Sequence, residues 1–202
     1  MKVIEQLLAN AGISPIAGVD EAGRGACAGP LVIASVVLND PFAAELAVVR
    51  DSKEIPESKR DAVFNLIQQV AVSVSVVIVP ASEVDSRGVH AANLDGMRRA
   101  VQGLTVEPAY VLTDGYAIEG LGVPNLAVWK GDQVVVSISA ASVIAKVTRD
   151  RIMREMDLEF PHYGFAGHKG YITAAHTKAL NEHGPCAQHR QSFANVAALI
   201  HK

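Results

Sequence analysis

Three β-rich runs in this sequence lead into acid. Asp20-Glu21 follows Ile16–Val19, Asp114 follows Ala109–Thr113, and Asp132 follows Leu126–Trp129 by way of Lys130-Gly131. Sites in open α/β sheets form outside the carboxyl ends of strands, so three such ends can meet. Ionised carboxylates a few ångström apart repel, and one must hold a proton unless a cation lies among them. Oxygen ligands with no Cys and no paired His favour Mg2+ or Mn2+ over zinc. Two such ions about 3.5–4 Å apart, sharing one carboxylate, would activate a water and stabilise the leaving oxygen of an in-line phosphoryl displacement. Taken singly, each acid is equally a turn residue or a helix cap, as in Asp114-Gly115; convergence is what gives the chemistry. Successive strand side chains face opposite ways, so Asp20 and Glu21 aim inward together only at a bulge, and otherwise one of them is left to its backbone carbonyl.

Groups suited to a phosphate backbone surround the acids. Gly23-Arg24-Gly25 offers unshielded amides and one guanidinium. A dinucleotide fingerprint would need Gly at position 28, which is Ala28. Ser142, Lys146 and Arg149 recur at helical spacing and present a hydroxyl and two cations on one side, or simply a solvated face. Asp51-Ser52-Lys53 is a turn that serves equally as surface or as phosphate clamp. His162-Tyr163-Gly164-Phe165, His168-Lys169-Gly170-Tyr171 and His189-Arg190 mix rings with cations, as in surfaces that stack on sugars or bases; core packing is the other reading of Tyr163 and Tyr171.

The elements that must position these residues follow from periodicity. The N-terminal MKVIEQLLANAG reads as an amphipathic helix, followed by strands at Ile16–Asp20, Leu31–Leu38 and Val70–Val79. The connection between the first two strands is too short for a crossover helix, so they pair antiparallel. Helices are expected at Pro56–Gln69, Val89–Leu104 and Ser137–Asp157, the last burying Ile138, Ala141, Ala145, Thr148, Ile152 and Met156. Strands at Ala109–Thr113 and Leu126–Trp129 complete the sheet. Helices at Thr173–His183 and Ser192–His201, split by Gly184-Pro185, belong to a C-terminal cap over residues 158–202. The expectation is one α/β domain over residues 1–202.

Composition narrows the classes. The chain has 202 residues, 50% hydrophobic and 19% charged, with no apolar run near the ~20 residues of a membrane helix. No membrane and a cytoplasmic location are expected. Cys27 and Cys186 fall in no CxxC pair and read as free thiols. The net charge of −3 argues against a broad basic field. Residues 1–129 carry 9 Lys and Arg against 15 Asp and Glu, whereas residues 130–202 carry 9 against 6 and six of the seven His. Such a basic final third suits an anionic ligand, although ordinary surface variation produces differences of this size.

The set of motifs resembles ribonuclease HII, the type 2 ribonucleases H. The resemblance rests on Gly18-Val19-Asp20-Glu21-Ala22-Gly23-Arg24-Gly25 with Ala28-Gly29-Pro30, then Asp51-Ser52-Lys53, Asp114-Gly115, Lys130-Gly131-Asp132, Ala140 to Val147, His168-Lys169-Gly170-Tyr171 and His189-Arg190-Gln191-Ser192-Phe193. It implies a ribonuclease H-like fold, with a mixed five-stranded sheet flanked by helices and a small helical C-terminal cap. It implies hydrolysis of RNA in RNA–DNA hybrids and cleavage 5′ of single ribonucleotides in duplex DNA, leaving a 3′-hydroxyl and a 5′-phosphate, with a role in ribonucleotide excision repair and DNA replication. By resemblance Asp20, Glu21, Asp114 and Asp132 are the catalytic, metal-binding acids for two divalent ions, Mg2+ or Mn2+, with Asp20 as the bridge. Gly23, Arg24 and Gly25 would read the 2′-hydroxyl, Tyr171 would pack on the neighbouring deoxyribose, and Lys53, Ser142 and Lys146 would hold phosphates. A monomer is expected, since no large apolar surface stripe is evident.

The chain departs from the family pattern at Ala26-Cys27, where many members carry Pro-Leu, and at Glu54, where a second Lys is common. Three other readings stand beside this one. They are a junction resolvase or exonuclease acting on DNA, a non-catalytic hybrid-binding module, and a hydrolase using Ser142 and Lys146.

Overall fold

Leu31–Leu38 (LVIASVVL) is buried along its whole length, so both of its faces must be covered. In the computed structural model, which describes residues 3–50 and 52–200, it lies second in a five-stranded sheet. Asp51 of the Asp51-Ser52-Lys53 turn, and the ends of the first and last expected helices at 1–2 and 201–202, fall outside the described residues. The strands are β1 (Ile16–Ala22), β2 (Leu31–Leu38), β3 (Ala71–Val79), β4 (Tyr110–Asp114) and β5 (Asn125–Val128), in the order β3-β2-β1-β4-β5. β1 pairs antiparallel with β2, and β2 with β3; β1 and β4, and β4 and β5, pair parallel. This is the expected mixed sheet.

The helices are α1 (Val3–Asn10), α2 (Glu57–Val70), α3 (Ala81–Arg87), α4 (Val89–Gln102), α5 (Gly131–Val134), α6 (Val136–Glu159), α7 (Phe165–His168), α8 (Ala174–His183) and α9 (Ala194–Ile200). Strand alternation sorts them onto two faces. Val32, Ala34, Val36 and Leu38 meet Val63 and Ile67 of α2 and the Val136–Val147 stretch of α6. The alternate residues Leu31, Ile33 and Val37, with Ala17 and Val19 of β1, meet Val84, Ala92, Met97 and Ala100 of α3 and α4. α7, α8 and α9 pack on Cys27, Ala28, Met153 and Met156.

α6 departs from the expected single stripe. Val136 to Ala145 are buried all round, because the first turns of this helix lie between the sheet and α2. The approach to β1 is close enough that a Cβ on Gly18 would stand 2.1 Å from the main-chain carbon of Ser137. Only glycine fits there, two residues before Asp20. No helix among the described residues is long and apolar enough to cross a membrane.

Candidate active site

Register brings the acids together. Val19 pairs with Thr113, so Asp20 and Asp114, one residue on, leave two parallel strands side by side. Asp114 lies beside Val128 of β5, after which the chain turns through Lys130 (φ 52°) into α5. Asp132 therefore sits in a one-turn helix rather than directly at a strand end. The Gly131 amide donates to Asp114 Oδ1 at 2.7 Å and fixes one loop against the other. One carboxylate oxygen from each of Asp20, Asp114 and Asp132 lies within 4.8 Å of the others.

Glu21 follows the opposite-face rule. β1 runs to Ala22 in regular register with β2, so no bulge rotates Glu21 onto the side of Asp20. Asp20 accepts the Glu21 amide at 2.7 Å and shares its face with Ala22, toward α6. Glu21 lies on the face of Val19, toward α4. There the wholly buried Asn93 favours its ionised form, and Glu21 Oε2 is itself buried without a hydrogen-bond partner. Both carboxyls line the same open cleft of about 550 Å³ because they stand at the rim of the sheet.

Charge is concentrated here against its own preference. Burial, then the charges of Glu21 and Asp114, hold the Asp20 carboxyl well above the usual carboxylate range, and hydrogen bonding from Ser142 only partly offsets this. Burial lifts Glu21 to about 7 despite Arg24. Burial and then Asp132 raise Asp114. Three gathered carboxylates, an orphaned Glu21 oxygen and an all-oxygen donor set fit a divalent cation, whose charge would relieve the repulsion.

The same cleft is lined by Gly23, Arg24, Gly25, Lys53, Ser142, Lys146 and Tyr171. Gly23 has φ +89°, and a Cβ there would strike the Arg149 side chain at 1.9 Å, so the turn depends on glycine twice over. The Arg24 guanidinium stacks 4.7 Å above the Tyr116 ring. Lys53, with its side chain 77% exposed, reaches Asp132 at 3.4 Å. Ser142 Oγ meets Ser52 Oγ at 3.0 Å, and Lys146 donates to the buried Asp150 at 2.7 Å. The hydroxyl and the amine are thus each engaged elsewhere, which weighs against a Ser–Lys nucleophilic pair.

Several cations expected to face solvent or substrate are internal struts. Arg149, 1% exposed, donates to the carbonyls of Pro30, Lys169 and Ala28 at 2.9–3.1 Å, and Tyr171 packs over its guanidinium at 5.5 Å. Arg190 is fully buried and donates to the carbonyls of Arg24 and Gly29, while His189 is 1% exposed. Lys169 is buried with its amine on the Ala166 carbonyl. Tyr163 belongs to the core and donates to Gly184 O at 2.8 Å. Around Arg149 and Arg190, main-chain carbonyls from distant loops gather about the guanidinium.

Two residues escape the sequence reading, Arg60 lining the cleft and Asn93 buried beside Glu21. Arg60, in the first turn of α2, donates from Nε to the carbonyls of Ser52 and Ile55 at 3.0 Å and stands 3.7 Å from Asp150. A cation at a helix N-terminus opposes the helix dipole, and that is the signal that marks it. Asn93 lies within the helical pattern of α4 and carries no such signal.

The sequence profile of the Ribonuclease HII family matches residues 17–196. The Ribonuclease HII of Acidothermus cellulolyticus is 58% identical over 95% of this chain and 62% of its own length, so the chain spans under two thirds of that relative. The Ribonuclease HII of Mycolicibacterium smegmatis is 55% identical over 97% of this chain and 72% of its own. The crystal structure of the ribonuclease H2 from Pyrococcus horikoshii OT3 superposes with a TM-score of 0.79 at 25% identity, covering 91% of this chain and 96% of that one. On this fold, with this carboxylate cluster, the chain belongs to the ribonuclease HII family, metal-dependent ribonucleases that act on RNA–DNA hybrids.

Proposed function

We propose that this ribonuclease cuts on the 5′ side of single ribonucleotides embedded in duplex DNA, as well as within longer hybrids, leaving a 3′-hydroxyl and a 5′-phosphate. The observation that carries this reading is the meeting of Asp20, Asp114 and Asp132, the first two of which line a cleft that also holds the Gly23–Gly25 turn and Tyr171. Asp20, Asp114 and Asp132, with Glu21 from the opposite face, would hold Mg2+ or Mn2+. When bound there, such a cation would supply charge neutralisation and water activation for an in-line phosphoryl displacement.

The chain's own residues do the rest. The amides of Gly23 and Gly25, with the Arg24 guanidinium, bind the ribose 2′-hydroxyl, which a deoxyribose lacks. Tyr171, 40% exposed, packs its ring on the adjacent deoxyribose and so senses the change from RNA to DNA. Lys53, Ser142 and Lys146 hold flanking phosphates and set the strand over the acids. A labelled hybrid incubated with Mg2+, with Mn2+ and with chelator tests the metal requirement: cleavage with either ion and none with chelator is expected, and cleavage that survives chelation contradicts it.

A further inference from the structure

Behind Tyr171 lie two imidazoles that the carboxylate chemistry does not use. His176 and His189 are 0% and 1% exposed, and their Nε2 atoms are 3.0 Å apart, so one must donate and the other accept. The surrounding bonds decide which. His176 Nδ1 lies 3.0 Å from the carbonyl of Tyr171, which can only accept, so Nδ1 carries the proton and Nε2 is bare. His189 then donates from Nε2, and its bare Nδ1 accepts the Cys186 amide at 3.0 Å. Every nitrogen of the neutral pair has one partner of the right kind. A second proton would set two N–H groups against each other.

The pocket enforces neutrality. The titratable groups facing the pair are His168, stacked on His176 at 4.2 Å, Tyr163 at 4.8 Å from His189, Cys186 at 3.2 Å from His189 Nδ1 and Cys27 at 3.7 Å from His176 Nδ1. None of them is a carboxylate that would favour a charged imidazole. Burial, then His176, lowers His189 to about 4, and burial lowers His176 as well.

The two ends of the pair lead to the two elements assigned to reading the ribonucleotide. His176 holds the main chain of Tyr171. His189 bridges Ala28, and its neighbour Arg190 donates from its amide to Cys27 O at 2.8 Å and from Nη1 to Arg24 O at 3.0 Å. We propose that the His176–His189 pair is a positioning device that ties Tyr171 to the Gly23–Gly25 turn and sets selectivity for an isolated ribonucleotide over a continuous hybrid. The proposal rests on the junction-reading role given above to that turn and to Tyr171.

The test compares kcat/KM on a duplex with one ribonucleotide against kcat/KM on a continuous hybrid. His176→Phe keeps the ring volume and removes both hydrogen bonds; the ratio is expected to fall about tenfold, the worth of one buried hydrogen bond. His176→Asn, whose amide can donate to the Tyr171 carbonyl, restores most of the ratio. Equal losses on both substrates, or no rescue by Asn, overturn the proposal. Ring-nitrogen NMR of the wild-type chain is independent of how the variants fold: His176 as the Nδ1–H and His189 as the Nε2–H tautomer, both neutral at pH 7, are expected, and the opposite tautomers overturn the proposal. Tyr171→Ala separates the two ideas. If it leaves the ratio unchanged, the junction reading falls and the proposal with it; if it lowers the ratio while His176→Phe does not, the proposal alone falls.

Discussion

The Glu5 carboxylate accepts the amide of Val136 at 2.9 Å, across 131 residues of sequence, and its other oxygen accepts the Ser137 amide at 3.0 Å. The first helix thus closes the N-terminus of α6, the helix that carries Ser142 and Lys146. An anion at that end also meets the helix dipole. Glu5→Ala should lower the unfolding free energy by about 1–3 kcal/mol, since two buried amides lose their acceptor. Urea denaturation measures this, and a loss below about 0.5 kcal/mol would show that water replaces the cap at no cost.

Asp20→Asn removes one charge from a buried, mutually repelling set while its oxygen can still accept the Glu21 amide. Without divalent cations the variant should be more stable than the wild type by about 1 kcal/mol. It should bind hybrid with near-unchanged affinity and show no measurable turnover. Thermal melts with and without Mn2+ give a second check: the wild type gains stability on adding the ion and the variant gains little. Cleavage at the wild-type rate by Asp20→Asn contradicts the site.

Arg149 separates a strut from a substrate contact. Lysine keeps the charge but cannot reach three carbonyls at once. Arg149→Lys should therefore cost about 2–4 kcal/mol of stability, read by denaturation. A solvated phosphate contact would behave oppositely, with unchanged stability and a smaller salt dependence of hybrid binding.

Acid should weaken the C-terminal packing through His189 and His176. The unfolded chain protonates histidine near pH 6.5, whereas the native His189 resists until about 4, so the unfolded state binds more protons between these values. Stability is fully present above about 6.5 and falls as the pH drops through that window. Glu21, lifted to about 7, changes stability in the opposite sense over an overlapping range, so a difference measurement is needed. Wild type should lose roughly 2 kcal/mol relative to His189→Asn between about pH 7 and pH 4.5. Parallel profiles for the two proteins contradict the assignment.

How much of this was legible in the sequence depends on the range of the interactions. Strand period and connection length gave the antiparallel β1 and β2, the mixed sheet, and the opposite facing of Asp20 and Glu21, because those are local rules. The one-turn helix holding Asp132 has only four residues and shows no period to read. Arg149 misled for another reason: helical spacing set it beside Lys146, but its burial is decided by Ala28, Pro30 and Lys169, carbonyls 20 to 121 residues away. Arg190, held by the carbonyls of Arg24 and Gly29, was misread in the same way, and His189 is buried instead against His176 and the Cys186 amide. A cation that satisfies loop carbonyls and one that meets phosphates have the same sequence signature, and only the gathered loops distinguish them.

The central claim is that the acids cut where a single 2′-hydroxyl marks the strand. The most direct measurement uses two labelled duplexes that differ only in that hydroxyl, incubated with Mg2+ or Mn2+, with product ends mapped. One cut just 5′ of the ribonucleotide, leaving a 3′-hydroxyl and a 5′-phosphate, with the all-DNA duplex intact, is the predicted result. Cleavage of both duplexes, or a cut on the 3′ side of the ribonucleotide, would contradict it.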